Sequence, residues 1–260
     1  MVVLKTGSQV RLYFADPFAG YPAEPANIMS RIDLAHPLRL LAPYTQAMML
    51  ALLWTPRPKR ALMLGFGGGR LPAVLRATFP GLRMESTEVL PELRGIAASY
   101  FGLRFDRRQA LHIADARTFV EGLPAAATYD LILVDVFEGK GHASPHSIST
   151  REFCELCKCH LSSSGTVTVN LLSSDGRFER KVRTFAEAFA GSFMYEGDGA
   201  NVLLGSCAPP LDLPRLLAVA LQLDTAHPLA FPLARRARWL QPLDPADWPA
   251  SPLHDTDPPE

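Results

Sequence analysis

The chain has 260 residues, and its 26 Lys and Arg side chains balance 26 Asp and Glu, so the formal net charge is zero. That balance argues against a nucleic-acid partner, which needs a concentrated basic surplus, and the longest apolar stretch, Ala47 to Trp54, falls far short of the roughly 18 residues a membrane span requires. The opening Met-Val-Val-Leu-Lys-Thr-Gly lacks a charged-then-apolar leader pattern, and four cysteines, three of them within six residues, do not make a disulfide framework; a cytoplasmic protein binding neither nucleic acid nor membrane is expected.

Gln9 to Phe14 alternates like a strand, and Asp16-Pro17, Gly20 and further prolines then break it into a loop. Leu41, Tyr44, Met48 and Leu52 fall at helical spacing over 38–54, with Pro56 and Pro58 ending that helix. Arg60 to Phe66 is a short apolar run closed by glycines, as suits a buried parallel strand. Helices are predicted over 69–78, 91–101, 116–123, 150–161 and 177–190. Strands are predicted over 82–89, 109–114, 129–136 and 165–172. Ser192–Glu196 and Asn201–Ser206 read as a closing antiparallel hairpin, and Leu211–Leu223 as a further helix. Strands alternating with helices of about ten residues indicate an α/β, Rossmann-like, doubly wound and mostly parallel sheet. The chain is expected to divide into an N-terminal β element (1–37), a nucleoside-binding catalytic domain (38–208), and a C-terminal helix with a loose Pro-rich tail (209–260).

The loop Gly65-Phe66-Gly67-Gly68-Gly69 joins the first core strand to its helix. Glycines there admit unusual backbone angles and let a ligand approach the main chain, while the helix start offers unpaired N–H groups. Glu88, 21 residues after Gly67, ends the next strand, where a carboxylate can accept from ribose hydroxyls. A dinucleotide fingerprint would need glycine at position 70, which is Arg70. The looser spacing fits a loop for S-adenosylmethionine-type ligands, with Gly65, Gly67 and Gly69 cradling the nucleoside. Asp115 and Ala116 follow the third strand; Asp115 can accept from an adenine amino group while capping the helix behind it. Asp135 ends the fourth strand after four apolar residues, where ligands bind in such sheets.

Other residues carry weaker signals. Cys154, Cys157 and Cys159 lack a second ligand pair at zinc spacing, and read as core or surface thiols. His142 and His146 lie in the loop after the fourth strand, at the mouth of the expected site, and read first as incidental loop residues. Tyr13, Tyr44 and Gln46 are candidates to line an acceptor pocket. Asn170 is placed either toward the pocket or within the sheet. Arg70 reads as a solvent-facing helix residue, or as a partner for the carboxylate of S-adenosylmethionine.

From Ala61 to Leu172 the chain resembles the spermidine synthase (polyamine aminopropyltransferase) family, on a class I methyltransferase-like fold. The resemblance rests on Met63-Leu-Gly-Phe-Gly-Gly-Gly69, Glu88-Val89 with Pro91, Asp115-Ala116, Tyr129-Asp-Leu-Ile-Leu-Val-Asp135, Ser149-Thr-Arg-Glu-Phe153, and Leu161 with Gly165. It implies ribose binding by Glu88, adenine binding by Asp115, and Asp135 as the group that deprotonates an attacking amine, with Glu138 as a second acid. Tyr44 and Gln46 would meet the acceptor. The co-substrate would be decarboxylated S-adenosylmethionine or S-adenosylmethionine itself, with no metal, because a sulfonium is already a good leaving group. The partner would be a small amine or another small acceptor, and the family habit is a homodimer. The chain departs from the family at three places. Gly68 stands where the family has aspartate, Asp135-Val-Phe-Glu138 replaces Asp-Ser-Ser-Asp, and Tyr44-Thr-Gln46 replaces Tyr-x-Glu. Those departures keep two alternatives open, an S-adenosylmethionine-dependent methyltransferase and a non-catalytic nucleoside-binding protein.

Overall fold

The computed structural model describes residues 1–14, 28–138, 143–209, 211–227 and 229–259. Three short strands, β1 (Val2–Thr6), β2 (Gln9–Tyr13) and β3 (Ile28–Asp33), form an antiparallel sheet in the order β1-β2-β3. The expected strand is therefore the middle of three. The loop expected around Asp16-Pro17 and Gly20 lies outside the described residues. α1 (Pro43–Met48) runs into a tighter 3₁₀ turn over Met49–Leu53, so the helix expected from residue 38 begins five residues later. The cause is Pro43, which disfavours helical angles in the residue before it; Ala42 is extended, with ψ 128°.

The main sheet draws on β4 (Arg60–Leu64), β5 (Arg83–Glu88), β6 (Gln109–Ile113), β7 (Tyr129–Val134), β8 (Leu161–Leu171), β9 (Phe193–Gly197), β10 (Ala200–Ser206) and β11 (Leu240–Pro242), in the order β11-β9-β10-β8-β7-β4-β5-β6. β6, β5, β4, β7 and β8 are parallel, and β10, β9 and β11 pair antiparallel beyond them. The expected doubly wound, mostly parallel sheet with a closing antiparallel pair is what forms. Its helices are α2 (Arg70–Thr78), α3 (Glu92–Tyr100), α4 (Ala116–Glu121), α5 (Arg151–Cys159), α6 (Phe178–Ala188), α7 (Leu213–Ala226) and α8 (Leu233–Ala237).

Alternation along the central strands feeds two cores. Ala61 and Met63 of β4, with Leu131 and Leu133 of β7, pack on one face among α1, α2 and α7. Leu62, Leu64, Ile132 and Val134 pack on the other, against α5 and α6. Strands apolar on both faces are what a doubly covered parallel sheet requires. The chain reverses its winding between β4 and β7, and ligand crevices open at the carboxyl ends of strands at such a point.

The tail is not loose. β11 adds to the edge of the sheet beside β9, an edge position that tolerates Pro242. Beyond it, Leu253 is fully buried, its N–H donates to the Thr184 hydroxyl at 2.8 Å, and its carbonyl accepts from Arg151 N–H at 2.9 Å. Arg180 of α6 donates to the carbonyls of Ser251 and Pro252, both at 3.0 Å, and to Asp257 at 2.6 Å. Proline-rich composition suggested disorder, but the carbonyls of Pro245 and Pro252 accept from Arg183 and Arg180 of α6, and that of Pro258 from Arg177 just before it.

Candidate active site

Gly65 adopts φ +81°, and a Cβ there would lie 2.1 Å from the Asp135 carbonyl oxygen. The reason is register. Leu64 of β4 pairs with Val134 of β7, and Asp135 N–H donates to the Leu64 carbonyl at 2.8 Å, so the two strand ends run past each other in contact. Glycine at 65 is what lets the loop turn away while Asp135 stays beside it. At Gly68 a Cβ would come within 2.5 Å of the Ser30 hydroxyl and 3.0 Å of the Phe101 ring. The N-terminal sheet thus closes over the loop, at the position where the sequence lacks the aspartate of the family it resembles.

Glu88 sits at the end of β5 and ties the loop down. One carboxylate oxygen accepts from the N–H groups of Phe66 (3.2 Å) and Gly67 (3.3 Å), and the other from Val89 (2.8 Å) and Leu90 (3.1 Å). The two loop bonds are the longer pair, and they are the ones a sugar hydroxyl would replace. Asp115 caps α4 by accepting from Thr118 N–H at 2.9 Å. The capping reading of Asp115 therefore holds, and the residue also lines the cavity.

That cavity is about 720 Å³ and is lined by Gly65, Gly67, Glu88, Asp115, Ala116 and Asp135, among others. Carboxylates stand at two sides, with apolar walls between them from Val89, Val136 and Leu172. This is the set of groups a nucleoside would need: acceptors for ribose hydroxyls and an exocyclic amine, and apolar surface for a base. Glu138 lines the same cavity from an exposed position, its N–H donating to the Ala143 carbonyl at 2.8 Å. Pro145 and Ser147 close the far wall.

Asp135 is the focus of the site. Asn170 of β8, 4% exposed, donates to its carboxylate at 2.9 Å, and the Tyr44 hydroxyl donates to it as well. Burial raises the Asp135 carboxyl to about 6, against the pull of those two hydrogen bonds, which favour the charged form. The Tyr44 phenol is pushed well above its usual value by burial and by the neighbouring carboxylate. Asn170 therefore faces the pocket, resolving the choice that the strand pattern left open.

A second chamber of about 330 Å³ lies on the other side of Asp135 and Tyr44 and shares Ile28, Met29, Phe66 and Gly67 with the first. Its walls include Arg31 of β3 and Arg70 of α2. Arg70 is not solvent-facing: it is 7% exposed, and its guanidinium donates to the carbonyls of Pro37 and Phe101. Arg31 had no sequence signal, because Ile28-Met-Ser-Arg-Ile32 does not alternate and follows a proline-broken stretch.

Four candidates fall away from the site: Gln46, Tyr13, His146 and Gly69, the last turning at φ +67° against Phe66 and Leu103 and lining neither chamber. Gln46 lines neither chamber; its amide donates to the Leu40 carbonyl at 2.7 Å and accepts from Arg236 at 2.7 and 3.1 Å. Two helical steps from Tyr44 turn it to the opposite side, where Arg236 of α8, which also binds Tyr195 and Asp198, donates to it. Tyr13, the last residue of β2, is buried and lines neither chamber, and Phe14 lines the larger cavity instead. His146 contacts the His254 carbonyl and Arg177 outside both chambers, and His142 lies outside the described residues. Cys154 and Cys157 are buried thiols raised by desolvation, and Cys159 is exposed. No group of three or more metal-ligating side chains occurs among the described residues, nor any helix long and apolar enough to cross a membrane.

No protein-family model matches the chain. A polyamine aminopropyltransferase of Vibrio vulnificus (strain CMCP6) is 32% identical over 160 residues, covering 61% of this chain and 52% of that protein. The chain thus spans about half the length of that relative. Human methyltransferase-like protein 13, solved in complex with SAH, matches with a TM-score of 0.65 at 25% identity, over 71% of this chain and 92% of that one. A probable spermidine synthase from Corynebacterium glutamicum superposes with a TM-score of 0.71, covering 99% of this chain and 97% of that one at 19% identity, a likeness of fold. The chain is similar to spermidine synthase-like proteins and has the class I methyltransferase-like fold.

Proposed function

We propose that this protein is a transferase that binds a sulfonium nucleoside in the larger cavity and passes its aminopropyl group to a small amine held at Asp135. The observation that carries this reading is the placement of Asp135. A half-buried carboxylate, oriented by Tyr44 and Asn170, stands where the nucleoside-shaped cavity meets a second chamber. Glu88 and Asp115 would hold ribose and adenine. An ammonium has no lone pair, so the acceptor must lose a proton before it attacks. Asp135 in its charged form takes that proton. The amine nitrogen then bonds to the carbon beside the sulfonium, the carbon–sulfur bond breaks, and its electron pair stays on sulfur as a neutral thioether. The site's contribution is positioning and a base. The similarity to polyamine aminopropyltransferases supports the choice of transferred group.

Incubation with decarboxylated S-adenosylmethionine and a panel of diamines should release methylthioadenosine, and the Asp135→Asn protein should release none. A folded wild-type protein that forms no methylthioadenosine from any amine would sink the aminopropyl reading. Methyl transfer from intact S-adenosylmethionine is the second reading. It is favoured by Gly68, whose packing against Ser30 leaves no room for the loop carboxylate of the family it resembles. Release of S-adenosylhomocysteine in place of methylthioadenosine would establish it.

A further inference from the structure

The second chamber carries a charge pattern unsuited to a bare polycation. Arg31 and Arg70 both line it, and neither has a carboxylate partner among the described residues. Arg31 donates to the Leu41 carbonyl at 2.7 Å, and Arg70 only to backbone carbonyls. Arg70 is more than nine-tenths buried, and its Nε–H has no hydrogen-bond partner. A buried guanidinium without an anion is costly, and burial accordingly lowers Arg70 from its usual value to about 10. The other titratable groups facing the chamber are Tyr44 and Asp135. Tyr44 keeps its proton, so the chamber holds two cations against at most one anion.

We propose that this chamber is a carboxylate-binding subsite in which Arg31 and Arg70 receive an anionic group of the reacting ligands. A planar carboxylate would engage the fork geometry of a guanidinium and give the unpaired Arg70 N–H an acceptor. The carboxylate has two chemical sources, the α-carboxylate of an undecarboxylated sulfonium nucleoside or a carboxylate on the acceptor amine. The inference rests on reading the larger cavity as the nucleoside site, because that places the chamber at the end of the ligand's tail.

Calorimetry on the full chain distinguishes the two sources and separates them from failure of the nucleoside reading. Methylthioadenosine, which lacks a charged tail, serves as the reference for the larger cavity; its failure to bind would defeat the nucleoside reading. In the donor arm, S-adenosylmethionine should bind about tenfold or more tightly than its decarboxylated form, and Arg31→Gln should erase the difference without changing methylthioadenosine affinity. In the acceptor arm, run with and without methylthioadenosine, an amino acid bearing a distal amine should outbind the diamine of equal length by a similar factor, again only with Arg31 intact. Arg70→Gln should act as Arg31→Gln does, and Arg31→Gln decides alone if the Arg70 variant does not fold. Either arm positive and arginine-dependent upholds the subsite. No preference for the carboxylate form in either arm, or a preference unchanged in Arg31→Gln, overturns it.

Discussion

At the scale of single residues, the proposed chemistry turns on the protonation of Asp135. Its carboxyl is raised to about 6 by burial, so the base form predominates above that pH, and turnover should rise as the pH is increased through it. Asn170 and Tyr44 donate to the charged carboxylate and hold the value down. Asn170→Ala or Tyr44→Phe should therefore move the rising limb of the kcat profile to higher pH. A limb that stays in place in both variants would show that the group titrating is not Asp135. Gly68 gives a second test, of packing. Gly68→Asp pushes a side chain into Ser30 and Phe101, and overpacking of that kind costs about 1–3 kcal/mol. Urea unfolding should show that loss, and a companion Ser30→Gly should recover part of it. Asp135 was legible as a carboxylate after four apolar residues, and Glu88 by its place at the end of the strand after the glycine loop and its helix, because strand polarity alone fixes where a strand end points. The solvent-facing reading of Arg70 fails and Arg31 was missed, because both face a chamber that exists only once β3 has folded over the glycine loop.

At the scale of elements, the segment that walls the cavity with Pro145 and Ser147 is held from two sides. From below, Lys181 of α6 pairs with Asp175 at 2.6 Å and donates to the Ser144 carbonyl at 2.7 Å, while Asp175 accepts from Ser144 N–H at 3.2 Å; both charged side chains are almost wholly buried. Removing one partner of such a pair leaves an uncompensated charge, so Asp175→Ala should cost about 3–5 kcal/mol in chemical denaturation. From outside, Arg117 donates to the Ser147 carbonyl at 2.8 Å and grips Asp255 of the tail at 2.7 and 3.0 Å, and the Thr150 hydroxyl that caps α5 donates to Asp255 at 2.6 Å. Hydrogen bonding from Arg117 lowers the Asp255 carboxyl below its usual value. A carboxyl depressed in the folded state stabilises docking above its unfolded value, near pH 3.9, and that contribution disappears as pH falls through the folded one. Amide protection over 251–259, taken relative to unfolded-chain exchange at each pH, should accordingly fall in acid below about pH 4, and Asp255→Ala should lower it at neutral pH. Composition alone hid this latch, since a proline-rich acidic stretch docks only if arginines elsewhere are presented to it, and the helical spacing of α5 and α6 does not say what their exposed faces meet.

At the scale of the whole molecule, apolar strands alternating with helices made the parallel sheet legible, and with it the carboxyl ends of the strands as the place of the crevice. The three-stranded N-terminal sheet was only partly legible, because β3 follows a proline-broken stretch and gains its meaning from contact with the glycine loop. That contact couples the two sheets. Gly68 touches Ser30, and Met29 stands 3.6 Å from where a Cβ of Gly67 would be, so the loop cannot settle without β3. A nucleoside that replaces the long Phe66 and Gly67 bonds to Glu88 with its own contacts should therefore order both. Methylthioadenosine at about 100 times its Kd would stabilise the folded state by about 2.7 kcal/mol. For a chain of this size that corresponds to a rise in Tm of roughly 5–10 °C. Amide exchange should slow across the glycine loop and, at the same ligand concentration, across Ile28–Asp33, although the strand contributes few direct contacts. Glu88→Ala should abolish both effects together, because it removes the ribose acceptor and the tie that holds the loop against β5. Protection that appears in the loop but not in the strand would show that the N-terminal sheet merely covers the site and does not close with it.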